Sequence, residues 1–293
     1  MKIEAGQHIY TNVTKDRSPK NEGGYQTLYY THSYIDDRQS EEIEAKLVYF
    51  SSENKEIKKI FFRLNDEIFV VSQITPSDDK DEFGRSGIYF AHTLLIKNSE
   101  FDKIASNPFI IFDNFKFNTS VNDSLNGTDF KKQDIETINL DLAEISNNLP
   151  DSPLLDWNKI TISKLCSLAV NADELHKNKV SLLFKCNPSE TENILKGIFA
   201  FIPSELTKKL SFDTYFNSCN ILYNYFWAVG LEEKKTDPKF IFVNTSQKSI
   251  DEITIKPKNN SFENWLTDTL NKEDGIKTVF QNKEYAYLLS KWI

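Results

Sequence analysis

Arginine is nearly absent from this chain of 293 residues: Arg17, Arg38, Arg63 and Arg85 stand against 31 lysines. All four lie in the first 85 residues, so bidentate recognition by a planar guanidinium is confined to that part. Cysteine is scarce as well. Cys166, Cys186 and Cys219 are spaced by 20 and 33 residues, which fits no zinc pattern, and an odd number excludes a closed disulfide framework. They read as core thiols in a reducing compartment. No apolar run approaches the roughly 18 residues that a membrane span needs. The first ten residues, MKIEAGQHIY, lack the apolar core of a signal peptide. A cytoplasmic location is therefore expected. Positive charge is in deficit. The net charge of −8 repels nucleic acid and anionic membrane, and neither is expected as a partner. Catalytic motifs are missing too: there is no GK[ST], no GxSxG, and no HxH or HExxH. No cofactor and no metal are expected.

What is present is the composition of a folded protein, with 39% hydrophobic, 27% charged and 13% aromatic residues. The length suggests two domains at about 150 residues each. The richness in Lys, Asn and Ile fits an AT-rich bacterial genome.

Residues 1–117 read as a β-rich N-terminal domain. Strands are expected over Ile3–Tyr10, Tyr25–Thr31, Lys46–Ser51, Ile57–Leu64, Ile68–Ile74, Gly87–Ile96 and Phe109–Phe112, from short β-branched and aromatic runs. Asn65-Asp66 suits a two-residue hairpin loop. Two short helices interrupt the strands, capped by Ser40 and Ser99. The fold class is α+β, with a largely antiparallel sheet and short helices on one face. Residues 118–153 are polar and rich in turn formers, and read as an excursion or linker ending at Pro150 and Pro153. Residues 154–293 read as a mixed helical and β C-terminal domain. A helix is expected from about Thr161 to Asn171. A second starts at Asn187-Pro188-Ser189-Glu190, with Asn as cap and Pro at the first position, and ends before Pro203. Strands follow in SFDTYF, ILYNYFWAV, FIFV and DEITI, then helices from Ser261 and over Ile276–Trp292.

The most distinctive stretch is DEFGRSGIYFAHTLLIK, residues 81–97. The chain has 9 glycines, and Gly84 and Gly87 fall within four residues around Arg85. Such clustering marks a backbone that needs positive φ or a close approach. Two readings of the bend stand side by side. It aims N–H groups inward as an anion nest with Arg85 as a donor, or it is a tight turn in which Arg85 pairs with Asp81 or Glu82. His92 follows in a strand whose alternation places Phe90, His92, Leu94 and Ile96 on one face and Tyr89, Ala91, Thr93 and Leu95 on the other. His92 is read either as a half-buried histidine satisfied by a carbonyl or as a general base or metal ligand, the last without HxH or HExxH spacing to support it.

Three stretches carry a resemblance in their order and spacing. GQHIYTNV and GGYQTLYYTHSYID come first, then FGRSGIYFAHTLLI, and far downstream FIPSELTKKLSFDTYF. Together they resemble the N-terminal type-2 and middle regions of the bacterial GTPase-associated protein family. The matching positions are Gln7, Tyr10, Gly24, Tyr25, Gln26, Gly84, Arg85, Gly87, His92 and the Ser211–Thr214 strand. The resemblance covers about the first 115 residues and about 195–230. It implies a non-catalytic adaptor or sensor of an NTPase-centred conflict system acting against phage. Its partner would be a protein: an NTPase, another product of the same operon, or a foreign protein. Relatives extend further at the C-terminus, so a third region is expected to be missing here.

The candidate binding or bracing residues are Gln26, Arg85 and His92, with Gly24, Gly84 and Gly87 as motif turns. Two rival readings remain. Arg85 holds a phosphate or carboxylate while His92 moves a proton, in a sensor or enzyme; or the chain is a structural subunit of a larger assembly.

Overall fold

The structure is a computed structural model that describes residues 1–18, 20–49, 55–78, 80–81, 83–121, 134–143, 151–216, 225–231, 239–251 and 261–291. The chain is α+β. It divides into two units: Met1–Ile104 with Pro108–Glu144, and Ala105–Asn107 with Ile145–Ile293.

The first unit is built on an antiparallel sheet. Its strands are β1 (Lys2–Val13), β2 (Gly24–Tyr30), β3 (Lys58–Arg63), β4 (Ile68–Pro76), β5 (Tyr89–Lys97) and β6 (Ile138–Asp141). The lateral order is β3-β4-β5-β1-β2, and β6 pairs with the first residues of β1. β5 is central and faces Gly6–Thr11 of β1 on one side and all nine residues of β4 on the other. Eight of its nine residues are buried, because both sheet faces are covered.

Helix α1 (Asp37–Glu44) lies on the face carrying His8, where Ser40 Oγ meets His8 Nε2 at 3.0 Å. Helices α2 (Asn98–Lys103) and α3 (Pro108–Asn114) lie on the face carrying His92. There Phe101 stacks on Phe69 at 4.4 Å, and Phe117 packs on both Phe112 and His92. Helices thus occupy both faces, not the single face expected.

Several local expectations change. Phe109–Phe112 is helical, not a strand, since its buried residues follow a helical stripe down α3. Lys46–Tyr49 forms no strand. The cap of α1 is Asp36, whose side chain accepts from Gln39 N–H while Gln39 reaches back; Ser40 sits inside the helix, buried. Lys97, not Ser99, precedes α2. The β3–β4 loop runs over three residues, because Leu64 N–H donates to Ile68 O and Asn65 Oδ1 accepts from the N–H groups of Glu67 and Ile68. The stretch 118–153 is more than a linker: Ile138–Asp141 adds a strand to the first unit, with Leu140 buried opposite Ile3.

The second unit has its own short-stranded sheet. It comprises β7 (Ser181–Lys185), β8 (Phe212–Asp213), β9 (Ala228–Leu231), β10 (Phe240–Asn244) and β11 (Ser249–Ile250), in the order β11-β10-β7-β9-β8. β10, β7, β9 and β8 run parallel and β11 turns back antiparallel. The helices are α4 (Lys159–Val170), α5 (Ala172–Asn178), α6 (Pro188–Phe201), α7 (Ser204–Thr207), α8 (Ser261–Leu270) and α9 (Gly275–Ser290). Asn187 caps α6 through Glu190 N–H at 2.8 Å, as its start signal predicts. The aromatic run holds core residues: Phe226 and Trp227 are fully buried, and Trp227 Nε1 donates to Leu168 O. Cys166 and Cys186 are buried thiols, each pushed by burial up to about 12. Cys219 and the strand expected over 252–255 lie outside the described residues.

Candidate functional site

The Arg85 loop enters β5 as a self-satisfied turn. Gly84 (φ +75) and Gly87 (φ +96) both take the left-handed region that their clustering implies. Asp81 is the hub. Its Oδ1 accepts from the N–H groups of Phe83 (2.9 Å) and Arg85 (2.8 Å), and its Oδ2 accepts from Arg85 Nε at 2.6 Å. The nest and the turn are therefore one structure, and the anion in the nest is the chain's own carboxylate. The carboxylate is covered by its own loop, not by the core; that covering pulls its pKa up, and the bonds from Arg85 and Phe83 outweigh it and leave the pKa below the ordinary value.

Arg85 itself faces water, with 70% of its side chain exposed against 6% for Asp81. Its guanidinium carbon lies 5.0 Å from the centre of the Phe83 ring, which is 72% exposed. The loop is tied to the sheet by Tyr25. Its hydroxyl donates to Gly87 O at 3.0 Å and accepts from Tyr89 N–H at 3.1 Å. Tyr25 stacks on Tyr89 (4.4 Å) and Tyr10 (5.9 Å), and Tyr49 leans on Tyr89 at 5.7 Å. Burial raises the phenol of Tyr25 to about 12, so it stays protonated and can donate. Sequence reasoning placed Tyr25 in a motif but missed this anchoring role. The sequence alone does not give it: Tyr10, Tyr25 and Tyr89 come onto one sheet face only through the register of β2, β1 and β5.

His92 lies elsewhere. It is 1% exposed, on the opposite sheet face, between the edges of Phe115 and Phe117. Nδ1 accepts from Asn118 N–H at 3.0 Å, which places the proton on Nε2, 3.3 Å from Gln7 Oε1. Gln7 Nε2 in turn donates to Glu136 O. The ring thus fastens two segments onto the sheet. Burial lowers its pKa to about 4 and keeps it neutral. The structure does not bring Arg85 and His92 together, so the geometry of a shared proton-transfer site is not present.

Gln26 is a brace. Its Oε1 accepts from Ser18 Oγ and its Nε2 donates to Glu22 O, at 2.9 and 2.8 Å, closing the turn before β2. Gly24 has φ +122 and open space where a Cβ would stand, so its need is conformational alone. The same holds at Gly84. Gly84→Ala is expected to cost about 1 kcal/mol from the left-handed penalty with no clash. Chemical denaturation followed by far-UV circular dichroism checks this.

A cavity of about 560 Å³ opens beside the loop, walled by Thr11, Asn12, Asp16, Ser77, Lys80 and Asp81 among others. Neither Arg85 nor His92 lines it. Among the described residues no cluster of three or more His, Cys, Asp or Glu side chains is placed to hold a metal ion. No helix among them is long and apolar enough to cross a membrane. No family model, no curated protein and no solved structure matches the chain.

Proposed function

We propose that the chain is a non-catalytic adaptor or sensor of a bacterial NTPase-associated conflict system, cytoplasmic, and that it works by binding protein. The observation that carries the reading is the Arg85 loop. An arginine and an aromatic ring stand exposed and stacked on each other, held by Asp81 and by the Tyr25 anchor. Arginine and large aromatics are the residue types that dominate binding energy at protein interfaces. Rigid presentation lowers the entropy lost on docking. The family resemblance supports the same reading and names the partner class, an NTPase or other product of the same operon.

The test is Arg85→Ala in the full chain, co-expressed with any NTPase found to be encoded next to it. Asp81 keeps its two backbone donors in the variant, so the melting temperature should stay within about 2 °C. Co-purification should be lost. A variant that folds and still recovers the partner in full contradicts the reading.

A further inference from the structure

We propose that the surface Arg85 recognises on its partner is a carboxylate side chain, Asp or Glu, with an apolar residue next to it. This rests on the protein-binding reading above and names the chemistry of that site.

The argument starts from what Asp81 leaves over. It takes only the Nε edge of the guanidinium. The two terminal nitrogens have no partner among the described residues, and the side chain is 70% exposed. A guanidinium fixed at Nε and laid over a ring presents its outer edge as a ready fork, and two parallel N–H donors match the two oxygens of a carboxylate. The charge balance favours a monoanion. Asp81 sits directly behind the guanidinium, in a chain of net charge −8. Arg85 and Asp81 together are close to neutral, so the negative field of the whole chain acts on the ligand and repels a phosphate dianion more than a carboxylate. Lys80, exposed and without an ion-pair partner among the described residues, puts a positive group on the wall of the neighbouring cavity, next to Asp81 in the chain. The apolar neighbour follows from Phe83 and Tyr25, which are 72% and 37% exposed. The part of these rings left exposed gives an adjoining hydrophobic side chain a surface to cover.

The experiment uses the full chain and fluorescence anisotropy with labelled 12-residue peptides. The first is three repeats of Ser-Glu-Phe-Gly; in the others Gln replaces Glu, Ser replaces Phe, or phosphoserine replaces Glu. The Glu peptide should bind, and the Gln and Ser peptides should bind at least about tenfold more weakly, as loss of a charge-assisted fork or of a buried ring implies. Arg85→Lys keeps the charge and removes the fork, and should also weaken the Glu peptide about tenfold. Equal affinity for the Glu and Gln peptides, tighter binding of the phosphoserine peptide, full binding by Arg85→Lys, or no binding of any peptide at millimolar concentration would each overturn the proposal. The two readings fail differently. If Arg85→Ala loses the NTPase while Glu and Gln peptides bind alike, protein binding stands and carboxylate recognition falls. If Arg85→Ala keeps the NTPase, the underlying reading falls.

Discussion

Between pH 6.5 and 5 the first unit should lose on the order of 3 kcal/mol of stability in all, because two histidines are buried in it uncharged. His8 is wholly buried and its pKa is lowered by burial to about 3; His92 is lowered to about 4. The sign follows from the folded values lying below the unfolded value of about 6.5. Well above pH 6.5 neither state binds the protons and there is no penalty. Below it the unfolded chain is protonated and the folded chain is not, so stability falls by about 1.4 kcal/mol per unit for each ring. The loss from His92 levels off near pH 4 and that from His8 near pH 3. No carboxylate is hydrogen-bonded to either ring among the described residues: His8 meets Ser40 and Thr27, and His92 meets Gln7 and Asn118. Amide hydrogen exchange of β1 and β5 is the right probe, since all four tryptophans lie in the second unit. His92→Leu should roughly halve the slope whatever its own stability. A flat profile from pH 7.5 to 5 would contradict the burial of both rings.

Gly230→Ala should destabilise the second unit by about 3 kcal/mol or more, the cost of forcing volume into a packed site with no room to relax. A Cβ there would stand 2.3 Å from Thr214 O and 2.5 Å from Thr191 Oγ1. The Thr214 contact is backbone, and the following segment is tied down because Phe216 N–H donates to Gly230 O. The clash cannot be relieved by rotating a side chain. Urea unfolding read by tryptophan fluorescence measures it directly, through Trp157 and Trp227 in the core of this unit. A change below about 0.5 kcal/mol, typical of an unconstrained surface site, would mean that β9 is not packed as described.

The strands of the first unit were legible in the sequence because β-branched and aromatic runs announce them, and five of the seven expected segments coincide with strands. Phe109–Phe112 was misread because four apolar residues in a row satisfy a strand and a buried helix turn equally. Ile138–Asp141 lies in the stretch read as a polar excursion or linker, because its assignment as a strand depends on pairing with β1, a contact more than a hundred residues away in sequence. At the site, the positive φ of Gly84 and Gly87 and the pairing of Arg85 with Asp81 follow from local chemistry, which a sequence shows. What it does not show is register. Alternation alone sets His92 opposite Tyr89, but only the alignment of β2, β1 and β5 puts Tyr25 under Gly87 and so ties the Arg85 loop to the Tyr89 side, away from His92.

The central claim is that Arg85 and Phe83 form a preorganised protein-binding surface. Its most direct test is the affinity of the proposed NTPase partner, purified, for the wild type, for Arg85→Ala and Phe83→Ser, and for Lys277→Ala, an exposed helix position in the second unit. The account predicts a loss of about 30-fold for Arg85→Ala, the equivalent of a 2 kcal/mol hot spot, a comparable loss for Phe83→Ser, and no change for Lys277→Ala. Equal affinity across all four proteins would contradict it.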